Sequence, residues 1–266
     1  MTPGFNRNWL IVLVAFITLC CVCGVCVTGS GAVAYPFVAE TLQARSTQTA
    51  VAYANATATT VAEALHATAT AQAATLEEAS WTLLLFDPFD TNTNRWIQGS
   101  YDDEFAKATY SFDEGKYRLE VKAYQGVLLR STPTAKRPTA DFYVAVEAHR
   151  LSGDTDEPYG LVFRDDGENY YLFNVSDTGQ FAVFMWRNKA WTTLIDWADS
   201  TAIVPEAVNR LAVIGKGSHF DFFINSRHVA KFDNDQLSDG LVGVAVNLTS
   251  QGEAVFEFDN FEVRVP

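Results

Sequence analysis

The chain has 266 residues, with 19 Lys and Arg against 32 Asp and Glu, for a formal net charge of −13. From Trp81 onward the counts are 17 against 28, a net of −11 over 186 residues, so phosphate backbones and anionic lipid surfaces are repelled and nucleic acid is excluded as a partner. All four cysteines lie before Thr28, so the remainder has no disulfide framework and depends on a hydrophobic core.

The first predicted element is an uninterrupted apolar run, Trp9–Thr28, behind Arg7. About 20 apolar residues rising ~1.5 Å each match the roughly 30 Å hydrocarbon core of a bilayer, so residues 1–36 read as a short tail and one transmembrane helix. Arg7, the one cation ahead of the run, keeps the N-terminus cytoplasmic and sends the C-terminal part across. Cleavage is the alternative. Ala32-Val33-Ala34 has the small-x-small form a signal peptidase accepts, and the product would be secreted after processing near Ala34. The run exceeds the ~7–15 residues of a signal-peptide core, which argues for a retained anchor. Leu19, Cys20, Val22 and Val25 precede the four cysteines where a lipoprotein box wants a small residue, which argues against lipidation.

Residues 37–80 form the second predicted element, a stalk. Val38–Ser80 is more than half alanine and threonine, with no glycine or proline after Pro36. Alanine favours helix, and Val38, Leu42, Val51, Val61, Leu65 and Leu76 recur at irregular helical spacings. The segment therefore reads as a long helix able to self-associate through a thin alanine-rich seam, on the order of 60 Å long at ~1.5 Å per residue. A flexible Thr-rich spacer is the alternative, because Ala/Thr runs bury little surface.

From Trp81 the composition changes to aromatic and β-branched residues with acidic turns. Period-two alternation bounded by Gly, Asp, Asn or Pro predicts strands at Thr82–Asp87, Ala106–Phe112, Lys116–Ala123, Gly126–Ser131, Phe142–Arg150, Gly160–Arg164 and Tyr170–Val175. They continue at Phe181–Arg187, Trp191–Asp196, Asn209–Gly215, His219–Asn225, His228–Asp233, Val242–Leu248 and Ala254–Val265. Fourteen short strands and no convincing helix predict an all-β domain over residues 81–266, a jelly-roll sandwich of two antiparallel sheets.

Several segments carry a family likeness: Phe86-Asp87-Pro88-Phe89-Asp90 with Trp96, Tyr159-Gly160-Leu161-Val162-Phe163-Arg164, Tyr170-Tyr171-Leu172-Phe173, Ile224-Asn225 and Phe258-Asp259-Asn260-Phe261. Together they resemble the concanavalin A-like lectin/glucanase superfamily, most nearly its 3-keto-disaccharide hydrolase-like and laminin-G-like domains. The resemblance spans Leu83–Val265 and implies a curved sandwich that in many relatives meets a carbohydrate.

A sugar site needs flat rings for the apolar face of a pyranose and planar polar groups for its hydroxyls. Trp186, Trp191 and Trp197 lie close together, and alternation separates Phe181, Val183 and Met185 from Ala182, Phe184 and Trp186. Both faces of that strand are apolar, so some of these aromatics are core. Trp191, after the polar turn Arg187-Asn188-Lys189, is the better candidate for exposure, with Trp186 beside it and Tyr170, Asn174 and Arg164 on neighbouring strands as hydrogen-bonding partners. The bland reading is that aromatics in a sandwich are mostly core.

Glu257-Phe258-Asp259-Asn260-Phe261-Glu262 fits the Glu-x-Asp-x-x-Glu motif of family 16 glycoside hydrolases, in which two carboxylates act as nucleophile and acid/base. An extra residue near Asn260 would put Glu257, Asp259 and Glu262 on one face and Phe256, Phe258, Phe261, Val263 and Val265 on the other. Against catalysis, the motif lies on the final strand and only phenylalanines flank it; an acidic solvent face around a bulge is the competing reading.

Acidic turns are the candidate calcium ligands: Asp154, Asp156 and Glu157 in one, Asp165, Asp166 and Glu168 in another, each equally a solvated loop. No other cofactor is expected. His149, His219 and His228 are dispersed in sequence, with no zinc-ligand spacing. Three readings follow: a surface-displayed, non-catalytic carbohydrate-binding or sensing module; a membrane-tethered glycoside hydrolase; and a protein-interaction ectodomain that binds no sugar.

Overall fold

Strand alternation from Thr82 onward is realised in a computed structural model that describes residues 80–134 and 140–266, together with Val51. The predicted anchor at Trp9–Thr28 and nearly all of the predicted stalk lie outside the described residues. Fifteen strands run in chain order: β1 Thr82–Asp87, β2 Gly99–Asp102, β3 Ala106–Asp113, β4 Lys116–Ala123, β5 Val127–Ser131, β6 Phe142–Ser152, β7 Tyr159–Asp165 and β8 Tyr170–Val175. After these come β9 Gln180–Arg187, β10 Ala190–Asp199, β11 Asn209–Lys216, β12 His219–Ile224, β13 Arg227–Asp233, β14 Leu241–Leu248 and β15 Gly252–Val265.

Fourteen of these correspond to the predicted strands. The fifteenth, β2, is exposed at all four positions, so neither face is apolar and no alternation marks it.

All pairings are antiparallel and form two sheets. One has the order β13-β12-β11-β6-β15-β4-β3-β2 with β1 also on β15, and the other β10-β9-β8-β7-β14-β5. Between them lies one large apolar cluster fed by alternate residues of both sheets, including Phe142, Tyr159, Phe163, Tyr171, Phe173, Phe220, Phe222, Phe256 and Phe258. This is the predicted all-β jelly-roll sandwich.

β15 spans much of the larger sheet. Its first half pairs with β4 and β6, and its second half with β1 and β6. The register shifts between Asp259 and Glu262, and Asn260 adopts φ 50°. That bulge lets Phe256, Phe258, Phe261 and Val263 all enter the core although one residue too many separates Phe258 from Phe261 for strict alternation. Asn tolerates the left-handed region better than most residues, which suits it to the position.

Turn chemistry sets the hairpins. Glu114-Gly115, Asn188-Lys189 and Asn225-Ser226 each join two strands through two residues with positive φ, the type I′ geometry whose twist matches the flanking strands. At the N-terminal end of the domain, the buried Asp87 carboxylate accepts hydrogen bonds from the Phe89 amide, the Asn94 amide group and the Trp96 indole, each at 2.8 Å. Phe89 and Trp96 are thereby seated against Tyr117 and Phe261.

Gly160 on β7 fits because the Phe173 carbonyl oxygen would stand 2.1 Å from any Cβ placed there. Backbone cannot yield as a flexible side chain does, so Gly160→Ala is expected to destabilise the domain by about 3 kcal/mol, at the upper end of overpacking costs. Urea unfolding would register this as a lower midpoint with an unchanged slope; an unshifted midpoint would refute the tight β7–β8 approach.

Candidate functional site

Two outward faces remain once the core is filled, and their chemistry differs. On the six-stranded sheet, Val162, Tyr170, Leu172 and Ala245 form a buried cluster outside the main core, with Leu128, Phe184 and Trp186 packed on it. The Asn188-Lys189 turn sets the register of β9 and β10 so that Trp191 lies opposite Trp186, and Trp186 in turn lies opposite Tyr170 on β8. Three neighbouring strands therefore each bring an aromatic ring to one place. Trp186 and Trp191 have ring centroids 4.9 Å apart, Tyr170 and Trp191 6.0 Å.

Trp191 is 51% exposed, whereas Trp186 is half-buried and Tyr170 buried. The Arg130 guanidinium stacks over the Tyr170 ring at 3.9 Å and is ion-paired to Asp165. Burial pushes the Tyr170 phenol above its ordinary pKa, with Arg130 pulling it back in part, so the hydroxyl stays protonated at neutral pH. A cavity of about 540 Å³ opens here, lined by Arg130, Asn169, Tyr170, Trp186, Asn188 and Lys189 among others. It combines flat rings with guanidinium, amide and ammonium groups, the composition that suits a polyhydroxylated ring.

The structure brings Trp186, Trp191 and Tyr170 together. Asn174 lies on the same face of β8 as Tyr170, in a row with Gly160 and Ala182, and is 3% exposed. Arg164 is not in this group. It adopts φ 49° beside the irregular β7–β14 pairing and is buried, its guanidinium 4.5 Å from the Phe220 ring centroid and donating to the carbonyls of Leu237 (2.5 Å), Ala140 (2.9 Å) and Gly217. Arg164 ties three loops together from inside, and burial holds its pKa below the usual arginine value. Arg130 and Asn169 are cavity residues that the sequence did not single out. Arg130 sits on β5, far from β8 and β9 in the chain, and only its approach to Tyr170 reveals it.

On the nine-stranded sheet, the β15 bulge puts Glu257, Asp259 and Glu262 on the outward side. Each is held by a cation: Glu257 by Arg118 at 2.5 Å, Asp259 by Lys116 at 2.6 Å, Glu262 by Arg210 at 3.0 Å and Arg264 at 2.5 Å. The hydrogen bond to Asp259 raises the Lys116 pKa. These carboxylates are members of a cross-strand ion-pair row.

The acidic turns use their oxygens locally. Asp165 accepts from the Gly167 amide at 2.8 Å, Asp166 from the Glu168 and Asn169 amides at 2.9 and 2.7 Å, and buried Glu157 from the Thr249 amide at 2.8 Å. No group of three or more His, Cys, Asp or Glu side chains among the described residues is placed to hold a metal ion. His219 and His228, distant in sequence, meet across the β12–β13 hairpin at Asp221, 3.3 and 2.8 Å away. Burial alone would raise the Asp221 pKa, but the hydrogen bond from His228 and the surrounding positive charges outweigh it and hold the carboxyl below its ordinary value.

No family model and no curated protein matches this sequence. Solved structures do. A Bacillus subtilis protein of unknown function with a galectin-like fold superposes with a TM-score of 0.50 at 12% identity, over 69% of this chain and 96% of that one. The laminarinase of Flavobacterium sp. UMI-01 does so with a TM-score of 0.50 at 12% identity, over 69% of this chain and all of that one. What is shared is the fold, an antiparallel sandwich of two sheets. A carbohydrate-binding module, CBM66 of Bacillus subtilis, is similar at 20% identity with a TM-score of 0.49, over 64% of this chain and 95% of that one. At these identities a likeness shows the fold alone and leaves the ligand to the chemistry of the site.

Glu257→Gln tests the acidic strand. With Glu257 only an ion-pair partner of Arg118, the variant is expected to lose at most about 1 kcal/mol of stability and no saccharide-directed property. Loss of a hydrolytic activity demonstrated in the parent chain would overturn that assignment.

Proposed function

We propose that this chain is a carbohydrate-binding or sensing module, non-catalytic, displayed outside the cytoplasm on a single membrane anchor. The observation that carries the reading is that Tyr170 and Trp186, from adjacent strands, line one cavity of about 540 Å³ while the exposed Trp191 packs against both rings. An indole face covers the C–H side of a sugar ring, and the amide of Asn169, the guanidinium of Arg130 and the ammonium of Lys189 stand at the hydroxyl rim. Asn174 is a further polar group on that face.

A glycoside hydrolase needs two carboxyl groups facing each other across a substrate, one of them able to hold a proton. Glu257, Asp259 and Glu262 are instead each ion-paired, to Arg118, Lys116 and Arg210. The ion pairs support a non-catalytic reading. Calcium is not required by it, because the oxygens of Asp165, Asp166 and Glu157 are engaged by backbone amides.

Display at the membrane rests on the apolar run Trp9–Thr28. The chain is expected to stay in the membrane pellet through alkaline carbonate washing; appearance in the supernatant would assign processing near Ala34 and secretion instead.

The ligand reading is tested by titrating the full chain, in a detergent without a sugar headgroup, with a polysaccharide panel followed by tryptophan fluorescence and by assay of released sugars. Binding without release is expected. Trp186→Ala combined with Trp191→Ala is expected to lower affinity at least about a hundredfold, the loss of two stacked rings, with the unfolding midpoint near that of the parent. Full affinity in the folded double variant would refute this site.

A further inference from the structure

Beyond the ion-pair row of β15, the outward face of the nine-stranded sheet turns apolar. Cross-strand register sets two rows there on β6, β11 and β12: Tyr143 beside Ile214, and Ala145 beside Ala212 and then Phe223. The paired alanines leave a shallow floor among three larger side chains. These five residues form an apolar cluster separate from the main core, and none is more than 7% exposed. Leu83 and Phe86, opposite Arg264 and Glu262 on the same face, are 49% and 48% exposed, as uncovered outward positions are.

Among the described residues, Trp81 is the one outside the strands that packs on this cluster. Its carbonyl accepts a hydrogen bond from the Arg264 guanidinium at 3.3 Å, and the Lys216 ammonium lies 5.8 Å from its ring centroid. The chain therefore enters the domain on this face, and Ser80, the residue before Trp81, is helical.

The sequence ahead of Trp81 suits the patch. In a helix Val61, Leu65 and Leu76 share one side, with Ala69 and Ala73 between the leucines. Small side chains let a helix come close, and a floor of two alanines gives it room. Glu77 and Glu78 carry the charge that complements Lys216 and Arg264 around Trp81.

We infer that residues 61–80 lie back as a helix against the outward face of the nine-stranded sheet, with their apolar side over Tyr143, Ala145, Ala212, Ile214 and Phe223 and with Trp81 as the fixed point. The occupant is this chain's own segment, because Trp81 already holds one end of it at the patch and gives it an effective concentration that no free partner matches. Docking there leaves the aromatic cavity, on the other sheet, open.

The experiment is hydrogen–deuterium exchange on the full chain in detergent, read over residues 61–80. Slow exchange, independent of protein concentration, is expected. Ala212→Glu, which fills the floor and opposes Glu77 and Glu78, is expected to speed exchange there about tenfold or more while the amides of β7 and β8 keep their rates. Leu65→Asp combined with Leu76→Asp, which leaves every residue of the sandwich in place, is expected to do the same and decides the matter should Ala212→Glu fail to fold. Fast exchange in the parent chain, slow exchange that survives in either folded variant, or protection that grows with protein concentration, the mark of a second copy, would each overturn the proposal.

Discussion

One extra residue at Asn260 governs how this sandwich closes. β15 is 14 residues long and lies between β6 on one side and β4 and then β1 on the other. A strand of that length with strict alternation would send Phe261 and Val263 to solvent if Phe256 and Phe258 faced the core. The left-handed Asn260 absorbs the mismatch, and its side chain is fastened by a hydrogen bond to Glu147 at 3.1 Å. Phe261 can then meet the Trp96 indole edge-on at 4.9 Å, which joins the bulge to the Asp87-centred turn at the start of the β domain. A domain without disulfides has no other covalent or metal link among its described residues, so this junction of first and last strands must be closed by packing.

The same alternation explains why the outward faces came to differ. Opposite the core on β15 the residues are Glu257, Asp259 and Glu262; β4 beside it supplies Lys116 and Arg118, and Arg210 reaches across β6 from β11. Partly exposed pairs of this kind contribute about 0–1 kcal/mol each and satisfy one another's charge, leaving that face little unspent chemistry. The six-stranded sheet is apolar on both sides. Its outward row carries small residues at Gly160, Ala182 and Ala245, and large rings at Phe184, Trp186 and Tyr170. Exposing rings costs solvation that an internal core would recover, so a surface cluster of this size marks interaction more readily than stability.

Much of this was legible in the chain. Fourteen strands followed from period-two runs, and the β15 bulge from the spacing of Phe258 and Phe261, because burial imposes alternation wherever one face is dry. β2 was not, since a strand exposed on both faces leaves no periodic trace. The Trp186–Trp191 pair was legible because both lie on one hairpin with a two-residue turn. Arg130, the guanidinium that covers Tyr170, was not, because a cross-sheet contact between β5 and β8 has no sequence-local signal. Arg164 illustrates the opposite failure: alternation points it outward, but its positive φ and the adjacent register shift between Leu241 and Gly243 rotate it into the protein. Gly240, whose Cβ would stand 2.4 Å from the Arg164 carbonyl carbon, is the residue that permits the turn.

Rigidity is the property that connects these details to recognition. A ring that must be ordered on binding loses rotamer freedom, and each rotamer-rich side chain immobilised at an interface costs about 0.5–1.5 kcal/mol. Here neighbouring groups hold the rings in place. Trp186 is wedged between Trp191 and the outward cluster, Tyr170 is clamped under Arg130, and Arg130 is held in turn by Asp165. Asn169 accepts a hydrogen bond from the Asn188 amide at 3.0 Å, so the β7–β8 loop is pinned to the tip of the β9–β10 hairpin. The turn residues that set the Trp186–Trp191 register therefore also fix the rim of the cavity. Weak, reversible contacts to a hydrated ligand succeed only if little is lost in making them, and a pre-ordered aromatic surface on a sheet meets that condition without a loop having to close.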